Sequence, residues 1–342
     1  MITSVASGET PGRGDNRSMG TAEDTNGPEG ASGHMTAPRE RVPSAEKTSG
    51  TTGPLVSVVI PNLNKGEYVG EAIASLLAQT LADIEVIVVD NGSDDRSLEV
   101  IEDYARKDPR VSLVKEPRRG TAFALNAGVS RARGEFLAIL GSDDVCHPER
   151  LRRQVQKLRE GKASACYTES WIMDESGKET GRLWNRDKTH LPPNHEGYIF
   201  HELLRRFFTL GGTLMTTREA SKEIPFNESL GYGEDWDFSV RLARKFSFAY
   251  IPEPLYGYRV YPKNTWAKGN EARVLSNHIK LFQGWLDDFP ELTRDERTYL
   301  MKRLLHCVVL LKGRGTALRV ALGRPRDSIH VLRRGKPPAT PE

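Results

Sequence analysis

The chain has 342 residues, 49 Lys and Arg against 46 Asp and Glu, and a formal charge of +3, which leaves room for one large domain or two modest ones and implies no global attraction to nucleic acid. Its three cysteines, Cys146, Cys166 and Cys307, show no CxxC spacing and are too few for a disulfide framework, which fits a reducing compartment and argues against a thiolate metal site. No segment reaches the roughly 18 consecutive apolar residues of a spanning helix, which argues against an integral membrane synthase.

Residues 1–53 are Gly, Ser, Thr, Pro and charge, without an apolar periodicity that would offset the entropy of ordering, and read as a disordered leader. They lack the basic start and apolar run of a secretory signal, so the protein is expected in the cytoplasm. From Leu55 the character changes. Leu55 to Ile60 is a β-branched run closed by Pro61, as expected of a buried strand. Tyr68, Val69, Ala72, Ile73, Leu76 and Leu77 recur at helical spacing, and Ile84 to Val89 is a second apolar run ending in Asp90. The alternation continues with a helix over 97–106, a strand over 111–114, a helix over 122–132 and a strand over 136–140. This predicts an α/β fold with a largely parallel sheet.

Further on, the pattern predicts a helix around Leu151 to Leu158, a strand over 163–173, a helix over 199–208, a strand over 213–217 and a helix opening at Trp236. Asn185 to Gly197, with Pro192 and Pro193, reads either as an active-site loop or as a surface connection. Beyond Asn270 apolar positions such as Leu275, Ile279, Phe282 and Leu286 mark helices. The predicted organisation is a leader over 1–53, an α/β domain over 54–265, a small helical region over 266–325 and a basic flexible tail over 326–342. From Arg297 onward the basic residues Lys302, Arg303, Lys312, Arg314, Arg319, Arg324, Arg326, Arg333, Arg334 and Lys336 are opposed only by Asp327 and Glu342. That asymmetry suits either peripheral contact with the inner, anionic face of a membrane or a solvated tail.

In parallel sheets ligands bind at the carboxyl ends of strands, so the residues after Ile60, Val89 and Leu140 draw attention. The loop Pro61-Asn62-Leu63-Asn64-Lys65-Gly66 lacks GxGxxG, which disfavours a dehydrogenase, and neither GxxxxGK[ST] nor GxSxG occurs. Three acidic clusters remain: Asp90-Asn91-Gly92-Ser93, Gly141-Ser142-Asp143-Asp144 and Glu234-Asp235-Trp236-Asp237. Each alone reads as a turn or a helix cap. Together, carboxylates gathered at strand ends favour a divalent cation with oxygen ligands, Mg²⁺ or Mn²⁺. The histidines His147, His190, His195 and His201 show no ligand spacing and read as polar surface. Trp171, Trp184 and Trp236 read as core, with a sugar-stacking wall as the alternative.

The blocks Val56-Ser57-Val58-Val59-Ile60-Pro61, Ser75-Leu76-Leu77-Ala78-Gln79-Thr80, Glu85 through Ser93, Ala124-Leu125-Asn126-Ala127-Gly128 and Arg133-Gly134-Glu135 through Asp144, in this order and spacing, resemble those of the family 2 glycosyltransferases. The resemblance covers roughly Pro54 to Val260. It implies a GT-A type nucleotide-sugar-binding domain and an inverting transfer from a nucleoside diphosphate sugar to a glycan, lipid-linked or small-molecule acceptor. It also implies a metal on Asp144, Asp143 at the donor ribose or in the metal shell, and Asp235 as general base beside Glu234. Pro61, Leu63, Asn64, Asp90, Asn91, Arg119 and Asn126 become donor-side candidates. A bound metal would neutralise charge on the departing diphosphate.

Three positions depart from the family pattern. Leu63 stands where many relatives stack a Tyr on the base, Asn91 where they carry a second Asp, and Tyr261 where a His often helps to hold metal or diphosphate. Asn91 retains an acceptor and a donor suited to a pyrimidine edge, so UDP and dTDP sugars both stay open. With a phenol at Tyr261, Arg259 or Lys263 becomes a candidate for the phosphates. A catalytically silent binding module and a nucleotidyltransferase are the alternative functions; the latter needs a Gly-rich, basic triphosphate loop, for which Pro61 to Gly66 offers only Lys65.

Overall fold

A computed structural model describes residues 53–185, 196–262 and 270–324. Nearly all of the predicted leader, the tail over 326–342, His190, His195 and Lys263 lie outside the described residues. Strands β1 (Val56–Asn62) and β2 (Ile84–Asp90) are buried along almost their whole length and pair in parallel from Val56 opposite Ile84 to Asn62 opposite Asp90. That register brings the ends of both strands to one level, which puts the polar loops after them side by side. The crossovers are α1 (Val69–Leu77), α2 (Ser97–Lys107) and α3 (Thr121–Arg131), with β3 (Val111–Lys115) beside β2 and β4 (Phe136–Ile139) beside β1.

The chain continues through β5 (Val145–Cys146), α4 (Arg150–Gly161), β6 (Ala165–Met173) and β7 (Glu179–Leu183). Helix α5 (Phe200–Arg205) and a 3₁₀ turn at Gly211–Thr213 lead to β8 (Met215–Thr217), α6 (Arg218–Glu223), α7 (Glu234–Ala243) and β9 (Phe248–Arg259). The strand order is β3-β2-β1-β4-β8-β6-β9-β5, with β7 on β6. The long ladders are parallel, as expected; β8 runs antiparallel to β4 and β6 and joins the two parallel halves.

Successive buried side chains alternate between the two faces of the sheet. Val59, Ile87, Val89, Leu137 and Ile139 face one core, whereas Val58, Ile60, Val86, Val88 and Ala138 face the other. The C-terminal helices α8 (Glu271–Asp288), α9 (Arg294–Lys312) and α10 (Arg314–Gly323) cover the first of these faces, with Phe282, Trp285, Leu300, Met301 and Leu304 in the same core as Phe238 and Val240 of α7. Helix α9 opens on a capping box in which Thr293 and Glu296 satisfy each other's backbone N–H groups. Among the described residues no helix is long and apolar enough to cross a membrane.

Candidate active site

The floor of the site is built by the loops after β1 and β2. Asp90 staples its own loop: Oδ1 accepts from the N–H groups of Gly92 and Ser93, both at 3.1 Å, and Oδ2 accepts from Asn62 Nδ2 at 3.0 Å. Asn64, with φ of 54°, locks the neighbouring loop to it, since its N–H donates to Ser93 Oγ at 2.9 Å and its Oδ1 accepts from Asp94 N–H at 2.9 Å. Between them the Leu63 side chain stands exposed. Asn91 is buried, and its amide laces the loop before α3: Nδ2 donates to the carbonyls of Glu116 and Arg118, and Oδ1 accepts from Gly120 N–H at 2.6 Å. The oxygen expected to meet a base N–H is thus engaged by the protein's own backbone. Arg119 reaches across this loop to the Gly92 carbonyl at 3.2 Å, while Arg118 pairs with Glu116 and lies over Phe123.

The end of β4 delivers Asp143 and Asp144 to different environments. Asp144 is buried, and both of its oxygens are occupied, Oδ2 by the Tyr256 hydroxyl and Oδ1 by Arg259 N–H at 2.8 Å. Burial, and then the charge of Asp143, push its carboxyl above the usual range. Gly141 makes room for this turn, because a Cβ there would lie 2.3 Å from Asp144 Oδ2. Asp143 faces the cleft, where its Oδ2 accepts from Lys65 Nζ at 2.8 Å and from Tyr261 Oη at 2.6 Å. Burial and the Asp143 charge raise the Tyr261 phenol, so it stays a neutral donor.

Opposite them, α7 starts at Gly233, whose φ of 78° turns the chain so that Glu234 and Asp235 open the helix at the wall of the cleft. Among the described residues no side chain caps this helix; Asp235 Oδ1 accepts from Trp236 N–H at 2.8 Å. Gly211 and Gly212 let the chain pass closely behind, since a Cβ on Gly211 would lie 2.7 Å from Asp235 Cβ and one on Gly212 2.0 Å from Tyr256 Oη. Desolvation raises both carboxyls of the pair, Glu234 further through the charge of Asp235 and Asp235 to about 6. The cleft holds about 210 Å³ and brings Pro61, Asp143, Asp144, Glu234 and Asp235 together with Tyr232, Tyr258 and Arg273.

Glycosyl transferase family 2 matches residues 57–224, from β1 to just past α6. The chain is 32% identical over 242 residues to an uncharacterised glycosyltransferase of Methanocaldococcus jannaschii, covering 68% of this chain and 80% of that protein. The chain belongs to glycosyl transferase family 2. Chondroitin synthase of Pasteurella multocida is 28% identical across 67% of this family 2 chain, which spans only 23% of the synthase's length. In structure, S. aureus TarS 1–349 in complex with UDP-GlcNAc is similar with a TM-score of 0.57 at 19% identity, over 81% of this chain and 79% of that one. The mannosyltransferase PcManGT of Pyrobaculum calidifontis, in complex with GDP-Man and Mn²⁺, is similar with a TM-score of 0.55 at 19% identity, over 83% and 80%. The fold is the GT-A fold.

In this family 2 glycosyltransferase the candidate residues divide by place. Pro61, Asp143, Asp144, Glu234 and Asp235 line the cleft, while Asp90, Asn91 and Asn64 fix the loops beside it. Asn126 is spent on the chain after α6, bonding the Phe226 backbone in both directions and Glu228. Arg259, a candidate for the phosphates, is instead buried and bonded to the carbonyls of Asp143 and Glu175 and to Glu71. Trp184 and Trp236 are core, the latter donating to the Leu203 carbonyl at 2.7 Å. Tyr256, Gly211, Gly212 and Arg273 escaped the sequence reading; the Gly211-Gly212 pair was the available signal.

The donor set fits a resident Mn²⁺ or Mg²⁺ poorly. Among the described residues no three His, Cys, Asp or Glu side chains converge as ligands. Asp144 is engaged inside the protein, and the oxygen of Asp143 opposite its bonded one is what stays open. A divalent ion there would stand beside the Lys65 ammonium, a like-charge contact.

Proposed function

We propose that the cleft binds a nucleoside diphosphate sugar, with UDP and dTDP sugars as the candidates in view of the UDP-GlcNAc complex of the TarS neighbour, and transfers its sugar to an acceptor hydroxyl with inversion. Asp235 acts as the general base. The observation that carries this reading is the placement of a carboxylate pair of raised pKa across one cleft from Asp143, at the carboxyl ends of β1 and β4. Glu234 keeps its proton more readily than Asp235, so near neutrality the pair holds one proton and leaves Asp235 able to take another.

In the transfer the acceptor oxygen attacks the anomeric carbon as its proton passes to Asp235. The bond from that carbon to the diphosphate oxygen breaks with its electron pair leaving on the nucleotide. A single displacement of this kind inverts the anomeric centre. The similarity to a chondroitin synthase supports a carbohydrate acceptor here as well. The excess of basic residues after Arg297 supports acceptors presented at a membrane surface, with Val309 and Leu310 exposed on α9 near Lys312.

The test uses water as the acceptor, which removes the need to know the natural one. UDP, dTDP and GDP sugars are incubated with the protein and the released sugar is followed by NMR. An α-linked donor is expected to release the β-anomer first. First release of the α-anomer would overturn inversion, and no turnover of any donor would overturn the transferase reading.

A further inference from the structure

We propose that Lys65 is a built-in cation for the donor diphosphate, so that nucleotide binding and transfer need no divalent ion. This rests on the transferase reading above. A nucleoside diphosphate brings negative charge into the cleft and gains more as the glycosidic bond breaks, so a fixed positive charge is needed at the carboxyl ends of β1 and β4. The ammonium of Lys65 stands there, 2.8 Å from Asp143 Oδ2 and 4.8 Å from the centre of the Tyr261 ring.

Its position is over-determined by backbone contacts. Lys65 N–H donates to Ser97 Oγ at 3.1 Å and Gly66 N–H to Asp95 Oδ2 at 2.8 Å, which pins the loop after β1 to the start of α2. The side chain is only 24% exposed, so the charge is held against Asp143 at the edge of the cleft that Asp143 lines. An ammonium has three N–H donors. Asp143 and the Tyr261 hydroxyl take two, and among the described residues no other group takes the third, which suits a phosphate oxygen in a charge-assisted bond.

The acidic residues fit this arrangement better than they fit metal ligation. Asp144 turns inward to Tyr256 and Arg259, where it shapes the loop. Asp143 becomes a positioning residue that holds the ammonium, and the Tyr261 hydroxyl, itself bonded to Asp143, supports it. The phenol at 261, a weak ligand for a divalent ion, is suited to that support.

Calorimetric titrations with UDP, dTDP and GDP, in EDTA and in Mn²⁺, test the inference without any turnover. The nucleotide that binds best is expected to bind the wild-type protein with affinities within about 3-fold in the two buffers, because the cation it needs is already present. Lys65→Met is expected to weaken binding in EDTA by about 10-fold or more, whereas Lys65→Arg retains most of it. Circular dichroism of each variant establishes that the protein is folded. Wild-type binding that vanishes in EDTA and returns with Mn²⁺ would overturn the inference while leaving the transferase reading intact. Unchanged affinity in folded Lys65→Met would overturn it too. Binding of no nucleotide in either buffer would overturn both.

Discussion

Asp235 and Glu234 open α7 side by side, and burial holds both carboxyls above their ordinary range. Two consequences have defined signs. A general base works ionised, so transfer should rise with pH through the raised value of Asp235, about 6, rather than near the ordinary carboxylate value of about 4. The rate of donor hydrolysis against pH measures this; a profile already flat at pH 5 would contradict it. For stability the sign is the reverse. Both folded-state pKa values lie above those of the unfolded chain, so the pair's contribution is present below the ordinary carboxylate range and is lost as pH rises through the raised values.

The 3₁₀ turn over Gly211–Thr213 supports the site from behind, where Gly211 meets Asp235 and Gly212 meets Tyr256. A Cβ on Gly212 would lie 2.3 Å from Tyr256 Cζ as well as 2.0 Å from its hydroxyl, and Tyr256 is itself buried against Asp144. Gly212→Ala should therefore destabilise the fold by about 1–3 kcal/mol, read as a lower melting temperature; an unchanged one would show that Tyr256 moves freely. At this scale the first half of the fold was legible in the sequence, because β1, β2 and β4 are short apolar runs and their helices are strongly periodic. The expected strand over 213–217 shortened to Met215–Thr217 because its start is taken by the glycine turn. Strand β9 was missed because Pro252 and Pro254 interrupt it. The pairing with β6 accommodates them by a register shift, from Thr168 opposite Ile251 to Glu169 opposite Pro254. The acidic clusters pointed to the cleft, but which aspartate turns inward depends on Tyr256 and Arg259, more than a hundred residues further along the chain.

Across the whole molecule the family match ends at residue 224, so the helices that position Asp235 lie beyond it. Trp285 of α8 donates to Asp237 Oδ1 at 2.9 Å and packs edge-on against Trp236 at 5.4 Å. Asn277 accepts from Gly231 N–H at 2.9 Å, and Arg273 donates to the Gly231 carbonyl at 2.9 Å, which holds the turn before α7. The helical region is thus part of the same core, and ending the chain at residue 265 removes Phe282, Trp285, Leu300, Met301 and Leu304 from it. Losses of about 3–5 kcal/mol for each large aromatic exceed what a domain of ordinary stability can absorb. The shortened protein should be insoluble or unfolded; a soluble, cooperatively melting product would contradict this. In the proposed mechanism the loops after β1 and β4 bind the donor and the start of α7 removes the proton. Asp235→Asn tests it most directly, because the amide keeps the side chain's size but cannot take a proton. Nucleotide affinity and turnover measured on one preparation should show near-normal affinity with turnover reduced by about 10² to 10⁴-fold. Near-normal turnover would contradict the claim and leave Asp235 a structural residue.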